Sequence, residues 1–380
     1  MNDLELHAHL IGQQGSRAAL NTPVMILDLD ILDRNIAGMA ALTKAHGVAL
    51  RPHAKSHKSV DIAKRQLAAG AVGFCCAKIG EAEVLADGGL TDLLITSPVT
   101  APAAITRLAL LAQRSKGLIA TVDHPGVVAR IARALTDLDT SLDVMIDIDP
   151  GIRRTGVASP EAAVALANAI SATTHLRLRG VQYYCGLQQH VESYSERYAA
   201  IAERTEYLKT VIAALTAAGH TPEIISGSGT GTHRIDLELG VFTELQAGSY
   251  ALMDKQYLDC DLIGDTSIAF APSLGVDTRV VSANYGAMVT IDAGFKSLST
   301  DGGVAMVSHG APADTMFMFT GDEHAALIGP DIGLHLQPGD LVRLTVPHCD
   351  PTVNLYDNFH VVQDNTLVAI WPVSARGRSR

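Results

Sequence analysis

The sequence predicts a (β/α)8 barrel joined to a mainly antiparallel β domain, on three observations. Between residue 24 and about residue 226, eight short β-branched or apolar runs alternate with longer Ala/Leu-rich helical patterns. After about residue 255 the helical period fades, and strand-like runs punctuated by turns take over. Four unusually polar stretches follow directly on four of the eight runs, and a βα barrel gathers its reactive groups at the C-terminal ends of its strands. Eight successive βα units are the number that closes such a barrel; an open doubly wound sheet is the alternative for the same pattern.

The runs are, in order, VMILDL (24–29), VALRPH (48–53), VGFCC (72–76), DLLIT (92–96), LIATV (118–122), LDVMIDI (142–148), LRGVQYY (178–184) and EIIS (223–226). Helical segments such as NIAGMAALTKAHG and VDIAKRQLAAG separate them, several ending in the glycine that admits a left-handed cap. The barrel is expected over residues 22–255. Residues 1–21 and 256–380 are expected to form the β domain, on runs such as AMVTIDAG, TMFMFTGDEH, DLVRLTV and TLVAIWPV.

A chain of 380 residues that is 47% hydrophobic can bury a substantial core. Its net charge of −11, with no sustained basic stripe, argues against nucleic acid as a partner. No apolar run approaches membrane-spanning length, and the start, MNDLELHAHL, lacks the basic and apolar regions of a secretory signal. Five cysteines, Cys75, Cys76, Cys185, Cys260 and Cys349, are an odd number without zinc-finger spacing. They suit a reducing cytoplasm.

The four polar stretches are HAKSHK after the second run, DPGIRRTG (149–156) after the sixth, YYCGLQQH (183–190) around the end of the seventh and SGSGTGT (226–232) at the eighth. SGSGTGT has the chemistry of a phosphate cradle. Its glycines let backbone N–H groups approach an anion, and Ser228, Thr230 and Thr232 add hydroxyls. An amine and a phosphate loop on one mouth suggest pyridoxal phosphate, with a lysine bonded to the cofactor's aldehyde. Lys55 lies nearer the strand end than Lys58 and is the better placed of the two; a solvated basic strand end is the plain alternative. In the second domain, VPHCDPTVNLYD sets His348 and Asp350 two residues apart at a strand end. Extended spacing puts both on one face, with Cys349 on the other. An imidazole and a carboxylate suit a divalent ion with oxygen preference, although a surface His–Asp contact is the commoner meaning of such a pair.

RPHAKSHK, FCCAKIGEAEVLADGGL, DPGIRRTGV, GSGTGT, VFTELQAGSYALMD, PHCDPTVNLYD and WPVSARG, in this order from about residue 20 to residue 377, together resemble the D-threonine aldolase family of pyridoxal-phosphate enzymes. The resemblance implies an alanine-racemase-like barrel with a β domain. It also implies that Lys55 carries the cofactor, that Arg154 sits near the cofactor's phenolic oxygen, and that Gln182 and Tyr184 belong to the cofactor site. His190 becomes the base for the substrate hydroxyl, and His348 and Asp350 become metal ligands. Ser228, Gly229, Thr230 and Gly231 form the phosphate cradle, with Gly248, Ser249 and Tyr250 as its second piece.

The implied reaction is metal-assisted retro-aldol cleavage of D-threonine and related D-3-hydroxy amino acids to glycine and an aldehyde. Manganese is the expected ion, with magnesium as the other hard candidate. A homodimer is expected by resemblance alone. Tyr183, Cys185 and Ser228 depart from the family pattern and are expected to line the substrate mouth. The rival readings are a 3-hydroxyaspartate aldolase, a D-serine or 3-hydroxyaspartate dehydratase, and a non-catalytic pyridoxal-phosphate carrier.

Overall fold

The computed structural model describes residues 1–264 and 270–380. In chain order the first strands are β1 (Val24–Asp28), β2 (Ala49–Leu50), β3 (Phe74–Cys76), β4 (Leu93–Ile95), β5 (Ile119–Val122), β6 (Leu142–Ile148), β7 (Leu176–Tyr183), β8 (Ile224–Gly227) and β9 (Glu244–Leu245). The later strands are β10 (Leu274–Tyr285), β11 (Met288–Ile291), β12 (Met306–His309), β13 (Met316–Phe319), β14 (Ala325–Ile328), β15 (Leu341–Thr345), β16 (Asn358–Gln363) and β17 (Thr366–Pro372).

Strands β2 to β9 form one parallel sheet of eight, in the order β2-β9-β8-β7-β6-β5-β4-β3. Its two ends meet where His53 bridges Cys75, and the Cys75 N–H donates to the Pro52 carbonyl at 2.9 Å. Helices such as Leu29–Ala45, Pro102–Arg114 and Pro160–Ser171 cross between strands and bury one face each against the sheet. The TIM-type barrel expected from the alternation is therefore present.

One strand assignment is corrected. The run at 24–29 is not a barrel strand. β1 lies inside the second sheet, antiparallel to β10 and parallel to β16, and β9 takes the eighth barrel place. The reason is that β1 is buried on both sides, as a parallel barrel strand is. Met25 and Leu27 enter the main core, while Val24 and Ile26 pack with Leu10, Leu20, Val362 and Leu367. β9 has two residues, too few to show a period. SGSGTGT thus follows the seventh barrel strand and GSY the eighth, and the loops after these two are where TIM barrels commonly seat phosphate.

The second sheet runs β13-β14-β11-β10-β1-β16-β17, with β15 paired to β10 and β12 to β15. Residues 1–21 lie against it: Gly12 N–H donates to the Leu367 carbonyl at 2.8 Å and Arg17 N–H to Asn365 at 3.1 Å. The two sheets are joined at the barrel mouth. Lys255 N–H donates to the Val346 carbonyl at 3.0 Å, and Asp254 accepts the Cys349 N–H at 2.8 Å. This contact carries the VPHCDP segment onto the C-terminal ends of the barrel strands. Among the described residues no helix is long and apolar enough to cross a membrane.

Candidate active site

At that mouth a cavity of about 580 Å³ is lined by residues from both sheets, among them Lys55, Arg154, Tyr184, His190, His348 and Asp350. β2 ends at Leu50, and a 3-10 turn over Ala54–Ser56 presents Lys55. His53 caps this turn. Its Nδ1 accepts the Lys55 N–H at 3.4 Å, so its Nε2 carries the hydrogen given to Thr96 Oγ1 at 3.1 Å. Burial and the nearby ammonium hold its pKa down at about 3, leaving it neutral.

The two lysines of the stretch have different surroundings. The Lys55 side chain is 41% exposed on the cavity and its Nζ lies 3.2 Å from Asp350 Oδ2. That carboxylate raises the Lys55 pKa, against the opposing effect of burial. Lys58 is buried, with Nζ 3.3 Å from Glu81 Oε1 and 3.3 Å from Asn354 Oδ1. Burial alone would raise the Asp350 pKa, but Lys55 and then His348 outweigh it and hold the carboxylate at about 2.

The phosphate-type loops split into two groups. Ser228, Gly229, Thr230, Gly248 and Ser249 line the cavity. Among the described residues, the backbone N–H groups of Ser228, Thr230, Gly248 and Ser249 have no acceptor, although Ser228, Thr230 and Ser249 are buried. Buried amides without partners are costly, and four on residues that line one cavity fit a phosphate. Ser228 adopts φ +71°, which turns the loop, and a Cβ on Gly248 would stand 2.6 Å from the His53 carbonyl oxygen. Gly231 and Tyr250 behave differently. Gly231 N–H donates to Gln189 Oε1 at 2.9 Å and Tyr250 N–H to Thr230 Oγ1 at 2.9 Å. Tyr250 is fully buried, its hydroxyl accepting from Gln66 at 3.0 Å. Both lie behind the wall as supports.

Gln182 also lies beneath the cavity. Its Nε2 donates to Asp147 Oδ1 and to the Thr96 carbonyl, each at 2.9 Å. Tyr184 faces the cavity, with the Arg154 guanidinium 5.6 Å from its ring centre. Tyr183 and Cys185 do not line the mouth. Tyr183 is 1% exposed and its hydroxyl donates to the Arg204 carbonyl at 2.9 Å, while Cys185 is buried. The alternation along β7 turns Tyr183 toward the helix layer. His190 stands before the helix Tyr194–Ala217, whose N-cap is Ser193, so it is no part of that helix. Its ring lies 4.5 Å from that of Tyr257. Desolvation, then the nearby His348, lowers its pKa, favouring the neutral form that can accept a proton.

His348 and Asp350 are not on a strand. β15 ends at Thr345, His348 caps the short helix Cys349–Val353, and Asp350 lies within that helix. Both still reach the cavity, because the short helix, rather than strand alternation, directs them there. His348 Nδ1 is 2.7 Å from Asp301 Oδ2, a residue no sequence signal connects with it. With the Nδ1 hydrogen given to that carboxylate, Nε2 keeps its lone pair. An ionised carboxylate and a free imidazole nitrogen fit a hard divalent cation with open positions. Cys349 is fully buried, and burial pushes its thiol pKa well up.

Among the described residues, Asp3, His7 and His360 form the one group of three or more ligand-type side chains close enough for a shared ion. Their hydrogen bonds argue otherwise. The Asn21 N–H donates to His7 Nε2 at 3.0 Å, so Nδ1 carries the His7 hydrogen and gives it to His360 Nε2 at 2.8 Å. Both His7 nitrogens and His360 Nε2 are committed to this relay.

Residues 27–256 match the alanine racemase N-terminal domain family and residues 273–362 the putative serine dehydratase domain family. The chain is 38% identical to a 3-hydroxy-D-aspartate aldolase of Paracoccus denitrificans (strain Pd 1222), covering 94% of this chain and 93% of the relative. It is 36% identical to a D-threonine aldolase of Arthrobacter sp, covering 96% and 94%. Among solved structures, D-threonine aldolase from Filomicrobium marinum superposes with a TM-score of 0.91 at 36% identity, over 96% of this chain and 97% of that one. Fold, domain order and whole-chain similarity agree: this chain belongs to the D-threonine aldolase family of alanine-racemase-like proteins, a family that implies pyridoxal phosphate.

Proposed function

We propose that the protein cleaves D-threonine and related D-3-hydroxy amino acids to glycine and an aldehyde, with pyridoxal phosphate and a divalent cation, manganese before magnesium. The observation that carries this reading is the meeting of Lys55, His190 and the His348–Asp350 pair on one cavity. Each supplies a part that C–C cleavage beside a hydroxyl requires: an amine for the cofactor, a base and a cation site.

In this reading Lys55 bonds the cofactor's aldehyde, and the free N–H groups of Ser228, Thr230, Gly248 and Ser249 hold its phosphate. Arg154, beside the Tyr184 ring, steadies the ring end. Bound pyridoxal phosphate supplies an electron sink for the pair left on Cα, and the cation on His348 and Asp350 supplies a Lewis acid. His190 takes the proton of the β-hydroxyl as the Cα–Cβ bond breaks. Its lowered pKa keeps the imidazole ready to accept at neutral pH.

A carboxylate at position 350, with Cys349 buried and its thiol pushed to high pKa, favours a hard ion over a thiolate-bound zinc. That supports cleavage over loss of the hydroxyl. A second reading, 3-hydroxyaspartate as substrate, draws on Lys78 and Arg154. Both line the cavity; with Arg154 taken up by the cofactor ring, Lys78 is the one left to meet a second carboxylate.

The test is product identification from D-threonine and D-3-hydroxyaspartate, with chelator and after re-addition of manganese or zinc. Glycine and acetaldehyde from D-threonine are expected, with activity abolished by chelator and restored better by manganese. A 2-oxo acid and ammonia would replace this reading with a dehydratase. Full activity after complete metal removal would withdraw the role given to His348 and Asp350.

A further inference from the structure

We infer that Asp301 is a positioning residue of the cation site, fixing the His348 ring so that Nε2 presents its lone pair to the cavity. The inference rests on the cation reading above and goes beyond it, to a residue 47 positions away in sequence.

The loop over 299–302 holds His348 at two points and Thr352 at a third. Asp301 Oδ2 accepts from the ring Nδ1–H at 2.7 Å. Ser299 Oγ donates to the His348 carbonyl at 3.1 Å, and Ser299 N–H donates to Thr352 Oγ1 at 3.1 Å. Thr352 Oγ1 in turn donates to the same His348 carbonyl at 2.8 Å. Gly302 lets the loop come this close, since a Cβ there would stand 2.9 Å from the Pro347 carbonyl and 3.0 Å from His348 Cβ. Backbone and ring are thus both held, and His348 lines the cavity.

An exposed His–Asp contact by itself is worth little, and Asp301 is 55% exposed. Its consequence here is selection of one imidazole tautomer and one ring orientation. An imidazole bound to a cation through one nitrogen needs its hydrogen on the other, and a carboxylate partner both fixes that hydrogen and makes the ligating nitrogen more basic. Without Asp301 the ring can rotate about χ2 or place its hydrogen on Nε2, where it cannot bind a cation.

The experiment measures manganese binding to the cofactor-loaded protein by titration calorimetry, alongside the visible spectrum of the bound cofactor. Asp301→Ala is expected to weaken manganese about 10- to 100-fold, with the cofactor spectrum unchanged and activity regained at high manganese. Asp301→Asn, whose amide oxygen still accepts from Nδ1–H, is expected to lose less than Asp301→Ala. Unchanged manganese affinity in Asp301→Ala overturns the inference. So does a parallel loss of cofactor, which would mark a general role in structure. Parent protein that binds no manganese sinks the cation reading itself, a separate outcome.

Discussion

Lys55 and Lys58 are three residues apart on one polar stretch, and their surroundings differ. Lys55 reaches the cavity, whereas Lys58 is locked to Glu81 and Asn354 beneath the C-terminal tail, its carbonyl accepting the Ala375 N–H at 2.9 Å. Borohydride reduction is therefore expected to label Lys55, and Lys55→Ala to lose both cofactor colour and turnover. Lys58→Met should keep the colour but leave Glu81 buried without its cation, at a cost of about 3–5 kcal/mol in urea unfolding. A label on Lys58 reverses the assignment. His190→Ala is expected to retain cofactor and to lose roughly 10²- to 10⁴-fold in kcat. Near-normal turnover would hand proton removal to another group.

At the scale of elements, the barrel strands are joined internally by a buried polar chain as well as by apolar layers. Arg51 donates to Glu244 at 2.9 and 3.0 Å, Ser226 to Glu244 at 2.7 Å, Gln246 to Ser226 at 2.9 Å and to Gln182 at 3.3 Å, and Gln182 to Asp147 at 2.9 Å. Asp147 ends this chain as a carboxyl whose pKa burial pushes up to about 6, against hydrogen bonds from Gln182 and Thr155. The unfolded value is about 3.9. Between these values the native chain holds a proton that the unfolded chain has lost, so stability from this group falls as pH rises from about 4 through 6. Asp147→Asn, which keeps the acceptor for Gln182, is expected to stabilise the protein by roughly 1–3 kcal/mol at pH 8 and by little at pH 4. Denaturant unfolding at both pH values checks it, and an equal effect at the two would remove the titration from the account.

At the scale of the molecule, β1 makes the β domain depend on residues from the other end of the chain. It is inserted between β10 and β16, with Met25, Ile26 and Leu27 fully buried. A fragment of residues 273–380 lacks this central strand and the cover over residues 1–21. It is expected to show no cooperative thermal transition by circular dichroism, whereas the full chain does. A sigmoidal melt of the isolated fragment would contradict this dependence.

Much was legible in the sequence because it is local. The βα alternation follows from side-chain period, the glycine-rich loop from backbone freedom, and the order of the polar stretches from their places after apolar runs. The likeness to a family added which of those residues share a site. What the sequence could not carry is pairing at a distance. VMILD reads like a barrel strand because a strand buried on both faces has the same composition in either sheet. The longest strand, β10, is hidden by Asp277 and Arg279; Asp277 is buried against Arg17 at 2.7 Å and Arg343 at 3.5 Å. Gly231 and Tyr250 belong to phosphate-type motifs, yet their N–H groups are taken by Gln189 and Thr230. Asp301 reaches His348 only through the folding of a loop onto a distant turn. Composition and period determined which elements form; the tertiary structure decided which sheet each strand joins, which lysine reaches the cavity and which amides remain unpaired, because burial and hydrogen-bond partners are set by neighbours far away in the chain.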